Sequence, residues 1–423
     1  MVNLSVLIEI DGSFVKTGTI VGENFNNAKF EYADEYIQKP WCKPISISLP
    51  LEKKKFTEQE TKNYFDGLLP EGFTRKSISK AIHAAEDDYI TILKNLGAEC
   101  LGAVKIIDNA AIPEEPGYEL LTIERIKELA EEGASKSAAM VVNSHGSLTG
   151  ASGKVGLYYD EKTNRWFSPK GDAPSTHIVK QSHVKYENII INEQLCLLTA
   201  KKLGIKTPES FIIETGIKPE DRNTLFATKR YDRSIDTISK TIKGLAVPYR
   251  LHQEDFSQAL GIPAYQKYEE KGGEYLKKMF DLLRYFSADP IQDRQELWKI
   301  CILNYLIGNT DNHIKNVSLL YNRDLSSVRL APVYDVICST LYKNTSEEMA
   351  LSINGKYRIK DIGREDFRLE ARHVGLNPAV AINVFDELSD KIIPALKESA
   401  EELSAKGFSQ AIKIAGKISE SIQ

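Results

Sequence analysis

Near the start of the chain, apolar positions recur at every second residue. Leu4, Val6, Ile8 and Ile10 share one side of the pattern, with Ser5, Leu7 and Glu9 on the other. This predicts a β-strand. Asp11-Gly12 follows, a pair suited to a tight hairpin, so Ser13 to Val21 is expected as the return strand. Pro44 to Pro50 alternates again and is expected as a short strand closed by proline. Tyr64 to Gly72 is an apolar patch bounded by turn residues. Ala81 to Leu96 has helical spacing with Gly97 as its stop, and Leu101 to Ile107 is expected as a strand. Residues 1–110 are therefore expected to form a β-rich module.

Pro113-Glu114-Glu115-Pro116-Gly117 is the best linker. Between 118 and 240 the pattern is mixed. Strands are expected at Trp166-Phe167, Thr176 to Lys180 and Phe226 to Tyr231, and a helix from Glu187 to Leu203 closed by Gly204. From 241 to 423 the pattern is mostly helical. Glu296 to Ile307 is apolar nearly all round, which predicts a buried helix. The strands Val317 to Tyr321 and Val328 to Tyr334 interrupt this region, and Pro378 to Ile422 ends it as amphipathic helices. The fold class expected is α+β.

Composition narrows the picture. A chain of 423 residues exceeds one ordinary core, so two or three subdomains are expected. With 42% hydrophobic and 27% charged residues the composition is that of a globular protein. A net charge of -4 and the lack of a long Lys/Arg run argue against a chain-wide polyanion binder. No apolar stretch approaches the ~20 residues of a membrane span, and the first ten residues lack a signal-peptide pattern. A cytoplasmic protein with no membrane partner is expected. Cys42, Cys100, Cys196, Cys301 and Cys338 are too widely spaced for a metal knuckle, so reduced thiols are expected.

Candidate chemistry begins at Asn309-Thr310-Asp311-Asn312-His313-Ile314-Lys315-Asn316, after the buried helix. Asp311 and Asn316 stand five apart, the spacing of a protein-kinase catalytic loop. Phosphoryl transfer needs a carboxylate near the incoming hydroxyl and an amide oxygen on the metal. A polar turn whose Asp and Asn cap a helix has the same composition. Asp335, in Ala331-Pro332-Val333-Tyr334-Asp335-Val336, ends a predicted strand one hairpin later. It is either a second hard oxygen ligand for Mg²⁺ or an ordinary turn residue. Lys180 closes a strand and can reach phosphates, with Glu193 on the following helix as its ion-pair partner; it is otherwise a solvated edge residue. Gly146 to Gly156 is rich in glycine and small hydroxyl residues whose N–H groups can close on phosphate oxygens, or it is a flexible turn. It is not a P-loop, because Leu148 and Val155 stand where that motif needs Gly and Ser or Thr. The order is more telling than any piece. Glycine-rich loop, strand lysine, helix glutamate, linking strand, catalytic-loop spacing, hairpin and strand-end Asp succeed one another as in a protein kinase. That order points to a kinase-like phosphotransferase.

Nearly the whole chain resembles the HipA family of serine/threonine kinase toxins. In the first module the likeness lies in Leu49-Pro50-Leu51, in Phe65-Asp66-Gly67-Leu68-Leu69-Pro70-Glu71-Gly72 with Arg75, and in Leu96 to Val104. Beyond it lie Ser147-Leu148-Thr149-Gly150-Ala151, Thr176 to Lys180, Asn192-Glu193, Arg230-Tyr231-Asp232-Arg233, Arg250-Leu251-His252-Gln253-Glu254-Asp255-Phe256, Gly308 to Asn316 and Pro332 to Asp335.

The resemblance implies a protein-kinase-like bilobal fold: a β-rich module at 1–110, a nucleotide-binding part at 118–240 and a helical C-lobe at 241–423. It implies ATP and Mg²⁺, with Asp311 as base and Asn316 and Asp335 as metal ligands. Thr149, Gly150, Ala151, Ser152, Gly153 and Lys154 would cover the nucleotide. Lys180, Lys229, Arg230, Tyr231, His313, Ile314, Lys315, Asn316, Tyr334 and Asp335 would also line its site. Ser147 falls at the family's autophosphorylated serine, where added negative charge would repel ATP and switch the enzyme off. The implied partners are a helix-turn-helix antitoxin of the HipB type, DNA reached through that antitoxin, and a protein substrate such as glutamyl-tRNA synthetase or another aminoacyl-tRNA synthetase. Ala151-Ser152-Gly153-Lys154 replaces the family's usual Ala-Gln-Glu-Lys, and Lys229 replaces a common Glu. The alternatives are a pseudokinase corepressor, motivated by Ser152-Gly153, and a small-molecule kinase.

Overall fold

The computed structural model describes residues 1–110, 112, 114–132, 153–182, 186–215 and 224–422. The chain divides into two compact units. One comprises Met1–Gln181, Ala227–Ala264 and Leu320–Ser327; the other comprises Ser182–Phe226, Tyr265–Leu319 and Val328–Gln423. The three segments expected from sequence run in chain order, whereas each unit is assembled from three separate stretches.

The first unit opens with the expected hairpin, β1 (Val2–Ile10) and β2 (Ser13–Gly22). Ile10 pairs with Ser13, and Asp11 and Gly12 both take positive φ, 47° and 79°, as a two-residue hairpin turn requires. With β3 (Lys29–Tyr32) and β4 (Val104–Asp108) these strands form an antiparallel sheet in the order β3-β2-β1-β4. Leu4, Val6 and Ile8 are buried. Helix α1 (Glu58–Phe65) packs near β3, where Phe30 meets Phe56 and Phe65 with ring centroids 5.9 and 5.3 Å apart.

Two sequence expectations fail in this unit. Pro44 to Pro50 is not a strand. Its backbone groups are taken by side chains instead: Ile45 N–H donates to Tyr32 Oη at 2.9 Å, Ile47 N–H to Glu254 Oε1 at 3.1 Å, and Ile45 O is bonded by His252 Nε2 at 2.8 Å. The helix expected from Ala81 to Leu96 is two helices, α2 (Gly72–Ala81) and α3 (Tyr89–Leu96). Asp88 starts the second by accepting from Thr91 N–H at 2.9 Å.

A second sheet follows, with β5 (Gly117–Leu120), β6 (Lys154–Asp160), β7 (Arg165–Lys170) and β8 (His177–Gln181) in the antiparallel order β5-β7-β6-β8. Next along the chain, β9 (Thr224–Lys229) ends in the same unit. The unit is tied together by a buried ion network. Glu99 accepts from Arg230 Nη1 at 3.0 Å and Arg233 Nη2 at 2.7 Å, while Asp232 accepts from Arg230 Nη2 at 2.7 Å and Gly102 N–H at 2.7 Å. Arg250 Nη1 lies 3.2 Å from Glu9 Oε2. Burial opposes these charges, but the arginines hold Asp232 well below the usual carboxylate range. Arg75 similarly bonds Asp66 Oδ1 at 2.7 Å, which makes the Phe65–Gly72 motif with Arg75 a structural device.

The second unit is mostly helical: α4 (Ile189–Lys202), α5 (Tyr275–Phe286), α6 (Pro290–Ile307), α7 (Arg364–His373), α8 (Pro378–Ala405) and α9 (Gln410–Ser421). Helix α6 is the buried one, as its apolar pattern predicts. Trp298 at its middle meets Phe280 and Phe367 at centroid distances of 6.2 and 5.6 Å and donates to Ala381 O at 3.0 Å. Strands β10 (Ser318–Tyr321) and β11 (Val328–Leu330) follow. The expected strand to Tyr334 stops at Leu330, because Pro332 has no N–H to give and Val333 N–H turns to Lys206 O at 2.9 Å.

Candidate active site

The Asp311 loop is built on the end of α6. Gly308 terminates the helix at φ +73°, and a Cβ there would lie 2.3 Å from Thr340 Oγ1, so glycine is needed twice over. Asn309 N–H donates to Asn304 O at 2.8 Å, and Thr310 N–H donates to Ser339 Oγ at 2.8 Å. His313 N–H then donates to Asp311 O at 2.9 Å, and Asn316 N–H to His313 O at 2.8 Å. The Asn316 amide nitrogen donates to Asp311 O at 3.0 Å. That bond joins the two residues singled out by spacing and turns the Asn316 oxygen, the atom suited to a cation, away from the Asp311 carbonyl. Asp311 is exposed, while Asn312 to Lys315 are buried. The loop is thus a fixed support presenting one carboxylate.

Asp335 is approached through a second fixed support. Buried Asp293 on α6 accepts from Ser287 Oγ at 2.5 Å, Arg329 Nε at 2.9 Å and Leu330 N–H at 2.9 Å, which holds β11 to the helix. Beyond β11, Tyr334 Oη donates to Lys315 O at 2.8 Å. Asp335 then takes φ +53°, a left-handed conformation that Asp tolerates better than most side chains. Just past it, Asn192 on α4 grips Cys338 with two 3.0 Å bonds, amide nitrogen to carbonyl and N–H to amide oxygen. That is the role of the asparagine in the Asn192-Glu193 motif. Glu193 beside it is buried. Asn316 and Asp335 offer hard oxygen donors, the chemistry Mg²⁺ prefers.

A cavity of about 490 Å³ opens at Asp311 within the second unit. Tyr186, Tyr268, Tyr342 and Tyr357 line it, and its charged lining residues are Glu269, Asp311 and Glu348. Tyr268 Oη donates to Asp311 Oδ1 at 2.6 Å. The His313 ring stands edge-on to Tyr268, with centroids 5.1 Å apart. Sequence reasoning missed Tyr268, which lies 43 residues before Asp311 in a stretch without periodic signal.

In the first unit, Lys154 on β6 pairs directly across from Lys180 on β8. Opposed residues of antiparallel strands share a face, so two buried lysines lie side by side. Gly153, also buried, precedes them. Lys229 instead reaches the surface and pairs with Glu161 at 3.0 Å. The Arg230 guanidinium is committed to the buried ion network, and its N–H donates to Thr176 O at 2.9 Å. Tyr231 donates to Gln253 Oε1. His177, next to Thr176, is held neutral because burial pushes its pKa down to about 4. Ser147, Thr149, Gly150, Ala151 and Ser152 lie outside the described residues.

Two sequence profiles match the chain. The profile of the HipA N-terminal domain matches residues 12–107, and that of the HipA-like C-terminal domain matches residues 146–396. Y4mE of Sinorhizobium fredii is 28% identical over 405 residues, 93% of this chain and 91% of that protein. The serine/threonine-protein kinase toxin HipA of Shewanella oneidensis is 23% identical over 393 residues, 90% and 87% of the two chains. The structure of Shewanella oneidensis HipA with HipB and operator DNA superposes with a TM-score of 0.76 at 20% identity, covering 99% of this chain and 98% of that one. That likeness bears out the expected α+β, kinase-like fold. With both domains of the family matched in order along its length, this chain belongs to the HipA family.

Proposed function

We propose that this chain is a serine/threonine protein kinase that uses ATP and Mg²⁺ and acts as the toxin of a toxin–antitoxin pair. The Asp311–Asn316 loop carries the reading: a carboxylate and an amide stand at catalytic-loop spacing on the end of a buried helix, and the Asn316 amide nitrogen donates to the Asp311 backbone carbonyl at 3.0 Å. Asp311 takes the proton of the acceptor hydroxyl. Asn316 and Asp335 are the residues that would hold Mg²⁺, which when bound supplies charge neutralisation at the phosphates. Lys154 and Lys180 bind phosphate oxygens, and Gly153 lets backbone approach them. His313, Ile314 and Lys315 fix the loop between base and ligand, and Tyr334 braces it through Lys315 O. Lys229, Arg230 and Tyr231 contribute backbone toward the base of the nucleotide. The cavity at Asp311 receives the acceptor, and its carboxylates suit a segment that bears cations.

By family resemblance the reading extends to four further points: autophosphorylation at Ser147 as an off-switch, closure over ATP by Thr149–Ser152, an aminoacyl-tRNA synthetase such as that for glutamate as substrate, and cytoplasmic action. The solved relative was captured with HipB and operator DNA, which supports a HipB-type antitoxin as partner here, with DNA reached through it.

Isothermal titration with Mg-ATP tests the phosphate site. Lys154→Ala and Lys180→Ala are expected to weaken binding about ten-fold or more, roughly the loss of one charge-assisted contact, while Asp311→Asn leaves binding near the wild-type value. Wild-type affinity in both lysine variants would sink the assignment.

A further inference from the structure

The cavity at Asp311 contains a group that the kinase order of motifs does not include. Tyr268 is 47% exposed, so burial does not hold its ring in place. Its neighbours do. Glu269 N–H donates to Ala350 O at 2.9 Å, Glu269 Oε1 accepts from Tyr275 N–H at 3.0 Å, and Glu269 Oε2 accepts from Ser352 N–H at 2.6 Å. On the other side, Ile314 N–H donates to Lys267 O at 3.4 Å and the His313 ring packs edge-on. Tyr268 is therefore clamped both to the strand Glu348–Ile353 and to the catalytic loop, and its hydroxyl ends on Asp311 Oδ1 at 2.6 Å.

We propose that Tyr268 is the positioning residue of the acceptor side. Its hydroxyl fixes the Asp311 carboxylate in the orientation from which it takes the acceptor's proton, and its ring walls the cavity that the acceptor enters. The proposal rests on the phosphotransferase reading above. In the step it serves, the acceptor O–H bond breaks and the proton goes to Asp311 Oδ2, the oxygen not bonded by Tyr268. The acceptor oxygen forms a bond to the γ-phosphorus of a nucleoside triphosphate. The bridging P–O bond breaks, and its electron pair leaves with the diphosphate. Tyr268 keeps its own proton throughout. Glu269 acts through Tyr268 as its anchor.

The test uses the full chain with Mg²⁺ and γ-labelled ATP, following label into the chain itself and into a synthetic serine peptide flanked by lysines. Tyr268→Phe keeps the ring and removes only the hydroxyl. The expected result is a kcat about ten- to a hundred-fold lower, the scale set by small misplacement of a catalytic group, with the KM for ATP and the melting temperature unchanged. A Tyr268→Phe protein as fast as wild type would overturn the proposal. So would a faster one, which would make Tyr268 a place-holder that the acceptor must displace. A variant that loses ATP affinity or melting temperature along with rate would reduce Tyr268 to a structural residue. Wild type that labels neither acceptor would remove the phosphotransferase reading, a failure distinct from that of Tyr268.

Discussion

Glu254 shows how a single residue's surroundings set its chemistry. It is buried in the first unit, where Ser46 Oγ, Tyr321 Oη and Ile47 N–H donate to it at 2.5, 2.5 and 3.1 Å. Burial outweighs these donors and raises its pKa to about 7 from the usual 4.5. The folded chain therefore holds this proton more tightly than the unfolded chain does. Its contribution is complete below pH 4.5 and is lost as the pH rises toward 7. The loss amounts to about 3 kcal/mol from a shift of this size. Denaturation at pH 5 and pH 8 should show wild type losing stability relative to Glu254→Gln, which cannot ionise; parallel behaviour of the two proteins would contradict this. At this scale the sequence was only partly legible. The His252–Asp255 stretch stood out by resemblance, but its roles depend on Ile45, Ser46 and Tyr321, partners far away in the chain that no local spacing reveals. Tyr268 was invisible for the same reason. Asp311 and Asn316 were legible because their spacing is itself the geometry of one loop.

Elements were legible where periodicity and packing agree. The β1–β2 hairpin follows from alternation plus Asp11-Gly12, and the burial of α6 follows from its all-round apolar pattern. They were illegible where side chains take over backbone bonding, as at Ile45 and Ile47, or where a local cap such as Asp88 restarts a helix. The ion network joining Glu99 to Arg230 and Arg233 belongs to this scale as well, since it ties the loop before β4 to the segment after β9. Removing Glu99 leaves two buried guanidinium groups short of a partner. Glu99→Ala should cost about 3–5 kcal/mol, the usual effect of breaking a buried ion pair. Chemical denaturation of the variant measures it, and a cost below about 1 kcal/mol, the range of exposed pairs, would make the network incidental.

For the whole molecule, the α+β class was readable from the chain, and the fold is shared with HipA over nearly the full length. The interleaving of the two units was not readable, because nothing local marks Leu320–Ser327 as belonging with Met1–Gln181. No helix among the described residues is long and apolar enough to cross a membrane. The central claim is phosphoryl transfer through Asp311. Its most direct test is the incubation of purified wild type and Asp311→Asn with Mg²⁺ and γ-labelled ATP, followed by phosphoamino-acid analysis. The account predicts label on serine or threonine with wild type and none with Asp311→Asn, at equal melting temperature. Wild-type labelling by Asp311→Asn would contradict it.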